Sequence, residues 1–291
     1  MSAALPLVRR SLVAAAAVMS VMVLSSCGSG GAAASAAAAK EDPYGLQQAG
    51  TLRVGTLTDA PPNVYLKNGK FTGFDNDLFS AVASKLGLKV QFVGTDFSAL
   101  LAEFKNKQFD LGSSSITITG ARKKTVAFTN GYDFGYFGLD VPAGSDIKAF
   151  DQLKGKRVTV VQGTVQDDYA TKLGLDPIRV PDYNGALNQL KAGTAQAWVA
   201  PAEIGEKSAK ESGGKVLLVA KQISSAPTAF AIAHGNPVFL KALNSALDAV
   251  IKDGTWTKLQ DQYYPGRPIP SGFKPGSGGV GFPPLKAGTT S

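Results

Sequence analysis

Arg122 stands where its charge is locally unfavourable, which makes it the first candidate for chemistry. It closes the hydroxyl-rich stretch SSSITITGARKK, residues 113–124. Thr119 is a good helix N-cap, so Arg122 falls in the first helical turn, where the partial positive charge of the helix end disfavours a cation. An anion from outside would satisfy both the guanidinium and the free N–H groups of that turn. We therefore predict an anion-binding position at Arg122; pairing with a surface carboxylate is the alternative.

A second anion-binding position is predicted in the segment VVQGTVQDD. Gly163 permits a sharp backbone turn. Thr164 and Asp167 have the spacing of a helix capping box. The first-turn N–H groups of Val165 and Gln166 would then be free to face an anion. An ordinary capped helix with no ligand is the alternative interpretation.

The sequence offers few residues for metal, cofactor, disulfide or nucleophilic chemistry. His234 is the only histidine and Cys27 the only cysteine, so we expect no metal site, no cofactor and no intramolecular disulfide. No nucleophile–base arrangement is evident. The formal net charge is +8, but the lysines are scattered and no basic block is interleaved with aromatic residues. Nucleic-acid binding is therefore not expected.

The elements that must position these residues alternate between strands and helices. Their order is typical of an α/β fold with helices on both faces of each sheet. Two extended stretches, near 133–141 and 228–233, join two such units, which predicts a hinged cleft suited to a small ligand. The predicted strands are 52–56, 89–94, 109–114, 157–162, 178–181, 195–200, 215–220 and 228–234. The predicted helices are 74–88 (N-cap Asp75, stop Gly87), 97–108, 119–126, 165–175, 183–193, 201–213 (with Pro201 first) and 237–264, broken at Asp253-Gly254.

The two ends of the chain predict export and attachment rather than folded structure. Arg9 and Arg10 precede a 14-residue apolar run, which is short for a membrane-spanning helix and typical of a secretory signal. The run ends in LSSC, which resembles a bacterial lipobox and predicts a lipid-modified Cys27 after removal of residues 1–26. Residues 27–50 are predicted to be the anchor and a flexible tether, and 266–291 an irregular tail rich in Pro and Gly.

The part between these ends resembles the bacterial extracellular solute-binding proteins of family 3, the polar amino-acid receptors of ABC importers. The resemblance is carried by GKFTGFDNDLFSAVASKLGLKVQFV, FDLGSSSITITGARKKTVAFTNGY, LKGKRVTVVQGT and DGTWTKLQDQYY, in this order behind the lipobox. It implies a two-lobed periplasmic-binding-protein fold of type II, with two mixed sheets and two hinge strands. Lobe 1 would comprise 51–139 plus 228–265, and lobe 2 would comprise 140–227.

The resemblance also implies a function. The chain would be a monomeric substrate-binding lipoprotein on the outer face of the cell membrane. It would bind an amino acid or related small carboxylate and deliver it to an ABC permease, without being an enzyme. A dehydratase similar to the cyclohexadienyl dehydratases, with Glu203 as general acid, and a sensor or adhesion module are the alternatives.

The site residues follow from the same resemblance. The arginine at the position of Arg122 grips the ligand's carboxylate, and the turn at Gly163 meets it from the second lobe. Phe97 falls where the family has an aromatic or apolar wall, although a core phenylalanine is the competing interpretation. The full predicted set is Phe97, Ser114, Ser115, Thr117, Arg122, Gly163, Thr164, Val165, Gln166 and Glu203.

Three positions depart from the family pattern. Members that bind α-amino acids carry an acidic residue, which pairs with the ammonium group, where this chain has Pro201. The first loop of the family has an acidic residue and an aromatic residue where Leu57 and Ala60 stand here. Glu203 and Asp59 are the two candidates to replace the missing acid. An ammonium group without such a partner would pay a desolvation cost in a closed cleft.

Overall fold

The structure is a computed structural model that describes residues 42–277 except 105 and 225. The predicted signal, Cys27 and most of the tether lie outside the described residues, as does the last part of the tail. The strands are β1 (Thr51–Thr56), β2 (Asp59–Ala60), β3 (Val64–Lys67), β4 (Lys70–Thr72), β5 (Lys89–Gly94), β6 (Leu111–Thr117), β7 (Ala127–Phe128), β8 (Tyr136–Pro142), β9 (Val158–Val161), β10 (Ile178–Val180), β11 (Ala197–Pro201), β12 (Val216–Ile223) and β13 (Thr228–Ile232). The helices are α1 (Phe74–Lys85), α2 (Phe97–Glu103), α3 (Val165–Lys172), α4 (Tyr183–Lys191), α5 (Ala202–Glu211), α6 (Pro237–Lys252) and α7 (Thr255–Tyr263).

Two five-stranded mixed sheets organise the chain. The first has the strand order β5-β1-β6-β13-β7, and the second has the order β10-β9-β11-β8-β12. In each sheet parallel strands are joined by antiparallel ones: β13 runs antiparallel to β6 and β7, and β8 runs antiparallel to β11 and β12. A small sheet of β2, β3 and β4 completes the set. The predicted α/β architecture of two mixed sheets flanked by helices is therefore confirmed.

The two halves share an apolar contact as well as having cores of their own. Helices α1, α6 and α7 pack on the first sheet around Phe79, Phe230 and Leu247. A separate core lies under the second sheet. A third cluster joins Phe97 and Leu100 of the first half to residues of the second half such as Trp198. Burial of this shared surface favours the arrangement in which the halves meet.

Most predicted elements are present, but three local predictions are wrong. Asp75 does not cap α1: the helix begins at Phe74 after Gly73, and the fully buried Asp75 carboxylate accepts a bond from Ser115 instead. Pro201 ends β11 and precedes the first helical residue. The helix predicted over 119–126 is a single 3-10 turn at Arg122–Lys124. The stop at Gly87 is confirmed, since α1 ends at Lys85 and Gly87 has φ of +67°.

Segments assigned to the tether and the tail also pack against the fold. The Tyr44 ring lies 5.4 Å from that of Phe239, and the Tyr44 carbonyl accepts a hydrogen bond from Asn236 Nδ2 at 2.6 Å. At the other end, Phe273 is buried and meets Phe134 edge-on at 4.9 Å between ring centroids. Residues 42–50 and 266–277 have almost no regular structure, yet both contribute to the packing.

Two connections join the sheets. The second sheet begins at Tyr136 of β8; the division into lobes at residue 139 remains a prediction. The chain passes from the first sheet to the second through 129–135, and it returns between the end of β12 at Ile223 and the start of β13 at Thr228.

Candidate ligand-binding site

A cavity lies between the two halves, and nine of the ten predicted site residues line it. The tenth, Gly163, contributes through its backbone. The lining comprises Leu57, Ala60, Asn63, Val64, Phe97, Ser114, Ser115, Thr117, Arg122, Asp133, Phe134, Gly135, Tyr136, Phe137, Thr164, Val165, Gln166, Tyr183, Pro201, Glu203, Ile204, Ser224 and Thr228. Sequence analysis missed the aromatic side chains of residues 134–137 and Tyr183, because nothing in the local pattern distinguishes them from core residues.

Arg122 is a buried cation held by backbone carbonyl groups. Its Nη1 donates to the Thr117 carbonyl at 2.8 Å, and its Nη2 donates across the cleft to the Gly163 carbonyl at 3.0 Å. The guanidinium carbon lies 5.0 Å from the centre of the Phe97 ring. The backbone N–H of Arg122 donates to Thr119 Oγ1 at 3.1 Å. Thr119 is nevertheless not the N-cap that the sequence predicts, because the 3-10 turn begins at Arg122 and Ala121 is the residue before it.

The electrostatic environment of Arg122 favours the binding of an anion. Burial lowers the pKa of its guanidinium, while Asp168 and Tyr183 oppose that effect. Among the described residues, no carboxylate lies within ion-pair distance of Arg122, so the alternative of a surface ion pair is not seen. A buried guanidinium whose hydrogen bonds all go to neutral carbonyls carries a large desolvation cost. A carboxylate in the cavity would offset that cost through charge-assisted hydrogen bonds.

Ser114 and Ser115 of β6 line the cavity and are held in a hydrogen-bond network. Ser115 has φ of +45°, and its hydroxyl donates to Asp75 Oδ2 at 2.5 Å while accepting from Asn63 Nδ2 at 2.9 Å. Burial raises the pKa of Asp75 to about 7, and the bond from Ser115 partly opposes this. Ser114 Oγ accepts the Leu57 N–H at 3.0 Å. These bonds fix the loop after β1 against β6.

The turn at Gly163 has the predicted geometry. Gly163 has φ of +76°, and its N–H donates to Asp167 Oδ2 at 3.1 Å. Thr164 Oγ1 accepts the Asp167 N–H at 3.2 Å. The first intrahelical bond of α3 is from Asp168 N to the Thr164 carbonyl, so the N–H groups of Val165 and Gln166 precede the hydrogen-bond ladder. The start of α3 therefore presents donors beside the cavity.

A pair of carboxylates lines the cavity with Arg267 beside them. Arg267 Nη2 lies 2.5 Å from Asp133 Oδ1, and Nη1 lies 3.2 Å from Glu203 Oε1. Burial raises the pKa of both carboxyls, and the Arg267 guanidinium lowers it in part. Sequence analysis missed Asp133 and Arg267 because one lies in a connection and the other in the segment assigned to the tail.

The structure separates the two candidates for the missing acidic residue. Glu203, at the start of α5, lines the cavity. Asp59 lies outside this lining, where its Oδ2 accepts the Asn184 N–H at 2.9 Å and so joins β2 to α4. Pro201, Leu57 and Ala60 do line the cavity, so the departures from the family pattern fall on its wall.

Two other features of the described chain bear on the kind of site. Within residues 42–277, apart from 105 and 225, no group of three or more His, Cys, Asp or Glu side chains is placed to hold a metal ion. No helix in that part of the chain is long and apolar enough to cross a membrane.

Comparison with known proteins identifies the family. The model of the bacterial extracellular solute-binding proteins, family 3, matches residues 52–266. A "Probable amino-acid ABC transporter-binding protein" of Haemophilus influenzae is 31% identical over 228 residues, covering 75% of this chain and 86% of the relative.

Solved structures of the same type share the fold. "An ancestral arginine-binding protein bound to arginine" matches with a TM-score of 0.71 and 33% identity, covering 74% of this chain and 98% of the other. "The ancestral amino acid-binding protein AncCDT-1, a precursor of cyclohexadienyl dehydratase" matches with a TM-score of 0.68 and 33% identity, covering 74% and 96%. The expected two-lobed fold of type II is therefore confirmed.

Proposed function

Because the chain belongs to the bacterial extracellular solute-binding proteins of family 3, we propose that its cavity binds an amino acid or related small carboxylate for delivery to an ABC permease. The observation that carries this proposal is the buried Arg122, whose guanidinium faces the cavity and has no carboxylate partner among the described residues. The ligand's carboxylate is that partner.

Binding of the carboxylate explains how a ligand would hold the two halves together. Arg122 and Phe97 belong to the first half, whereas the start of α3 belongs to the second. A carboxylate between them receives charge-assisted hydrogen bonds from Arg122 and from the helix start only when the halves meet. Ligand binding thereby stabilises the closed form that a permease recognises.

The cationic end of an amino-acid ligand meets Glu203 and Asp133 rather than a residue at position 201. Both carboxylates line the cavity, whereas Asp59 does not. This arrangement supports the interpretation that Glu203 replaces the acid missing at Pro201. Carboxylates without a free ammonium group, such as keto acids and acylated amino acids, should also be screened. The reason is that Leu57 and Ala60 add no charge to the cavity wall.

The chain acts from the outer face of the cell membrane as a monomer, with a lipid on Cys27 after removal of the signal peptide. This part of the proposal is supported by the apolar run ending in LSSC and by the extracellular character of the family. Cys27 itself lies outside the described residues.

Enzymatic activity is the second candidate function, and one observation bears on it. A dehydratase would need a protonated general acid in the cavity. Burial raises the pKa of Glu203 and the Arg267 guanidinium lowers it only in part, so the protonation of Glu203 does not exclude such a role. The relatives named as binding proteins support binding over catalysis. Turnover of prephenate by the purified protein would favour the enzyme.

The test of the binding proposal is Arg122→Ala compared with Arg157→Ala. Arg157 is an exposed arginine whose side chain donates to the Thr194 and Gly193 carbonyls. A thermal-shift screen of the twenty amino acids, keto acids, acylated amino acids, betaines and aromatic acids first selects the probe. Calorimetry with that probe should show a loss of about 2–5 kcal/mol, or roughly 30-fold to several thousand-fold in affinity, for Arg122→Ala alone. Equal affinity in both variants would remove the carboxylate assignment.

A further inference from the structure

Arg267 lies one residue beyond the family match, yet it is among the most enclosed cations of the described chain. Its side chain is 10% exposed. The guanidinium carbon lies 3.7 Å from the centre of the Tyr264 ring and 4.3 Å from that of Phe134. It is paired with Asp133 and Glu203, and Nη2 also meets Gln260 Oε1 at 2.8 Å.

These surroundings are those of a binding site for a cation. Aromatic faces and paired carboxylates are the groups that recognise a guanidinium or an ammonium group. Here the cation comes from the chain itself. Asp133 and Glu203 line the cavity, whereas Arg267 lines a groove on the outer side, to which Glu203 also contributes. The triad of Asp133, Glu203 and Arg267 therefore lies between the cavity and the outer groove.

We propose that Arg267 is a specificity-determining residue: an internal cation that leaves this end of the cavity with one net negative charge. On the proposed function, on which this inference rests, that single charge complements one cationic group of the ligand, the α-ammonium group. A second cationic group on the ligand would have no carboxylate partner here, because Arg267 already provides the second positive charge. The site would then prefer amino acids without a net positive charge to dibasic ones.

The electrostatics of the triad agree with this role. Burial raises the pKa of Asp133 and of Glu203, and Arg267 acts against that rise. Burial lowers the pKa of Arg267, but Asp133, Tyr264 and Glu203 together bring it above its usual range. Four further titratable groups interact electrostatically with members of the triad: Tyr264, Tyr136, Tyr132 and Asp75. Removing Arg267 would leave two buried carboxylates facing each other.

The test uses L-arginine and L-citrulline, which have nearly the same shape but differ by one positive charge. Calorimetry should show that the native protein binds citrulline more tightly than arginine. In Arg267→Gln the ratio of the two affinities should move toward arginine by about tenfold or more, the effect of an interaction of ~1.4 kcal/mol. Arg267→Lys, which keeps the charge, and Arg157→Gln, which removes an exposed charge, should both leave the ratio within about threefold.

A double variant separates charge from a merely structural role. In Arg267→Gln with Glu203→Gln, Asp133 is left as a single negative charge, so the preference for citrulline should return. A ratio that is unchanged in Arg267→Gln, or that the double variant does not restore, would overturn the inference. Failure of every amino acid to bind the native protein would instead count against the proposed function.

If no amino acid binds, a measurement without ligand still tests the inference. The gap in melting temperature between the native protein and Arg267→Gln should widen from pH 5 to pH 8. The reason is that carboxyls with a raised folded-state pKa lose stability as pH rises toward that pKa. A gap that is constant over this range would show that Arg267 does not keep the two carboxylates ionised.

Discussion

Replacing Asp140 by asparagine should stabilise the protein, and by an amount that depends on pH. Asp140 lies in the middle of β8, opposite Trp198 of β11, and is fully buried. Neither of its carboxyl oxygens has a hydrogen-bond partner within the described ranges. Burial raises its pKa to about 8, with a contribution from Glu206. Asparagine has the same shape but cannot ionise.

The magnitude follows from the difference between the folded and unfolded pKa. In the unfolded chain Asp140 ionises near pH 3.9, whereas in the fold it holds its proton until about pH 8. The native protein therefore loses stability between these two values, at ~1.4 kcal/mol per pH unit. At pH 7 the accumulated loss is on the order of 4 kcal/mol, which asparagine would avoid. For a chain of this size that corresponds to roughly 10 °C in melting temperature.

The assay is denaturant unfolding of native protein and Asp140→Asn at pH 4, 5.5, 7 and 8.5. The two free energies of unfolding should nearly coincide at pH 4 and diverge steadily up to about pH 8, with the variant higher. Asp176→Asn serves as the control, because the Asp176 side chain is fully exposed. A difference in the free energy of unfolding that does not change with pH would refute the conclusion that Asp140 is buried in its protonated form.

Two further predictions concern the ends and the packing of the chain. Cys27→Ala should yield folded protein that is released from the membrane, because nothing in the described fold needs a thiol; protein that still fractionates with membranes after a carbonate wash would contradict lipid attachment. Gly205→Ala should lower the free energy of unfolding by about 1–3 kcal/mol, because a Cβ there would lie 2.1 Å from Asp140 Oδ2. Gly120→Ala, at an exposed position with open space around it and no left-handed backbone, is a weaker perturbation for comparison, and an equal loss in both variants would remove the steric explanation.

The positions that sequence analysis located are those whose chemistry is local. Arg122 was found because Thr119 and the hydroxyls before it are its neighbours in the chain. The Gly163 turn was found because the spacing from Thr164 to Asp167 is a capping pattern, and the structure has these bonds. Periodicity likewise located most strands and helices.

The positions that were missed depend on contacts between distant segments. Asp75 stands where the sequence predicts an N-cap, but its carboxylate accepts a hydrogen bond from Ser115 on β6, 40 residues away. Arg267 is 134 residues from Asp133 and 64 from Glu203. A single sequence holds no signal for such pairs. The acidic residue that would pair with the ligand's ammonium group could therefore be predicted only as either Glu203 or Asp59.

The packing of the last described residues has a consequence for anyone who shortens or tags this protein. Gly131 in the connection between the sheets exchanges backbone hydrogen bonds with Ser277 and Gly276, at 3.2 and 2.8 Å. A truncation after residue 266, where the family match ends, would remove these bonds together with Phe273 and Arg267. The truncated protein would lose its support at the connection about which the halves must move, and its ligand preference would no longer represent that of the full chain. An affinity tag is better placed beyond residue 277.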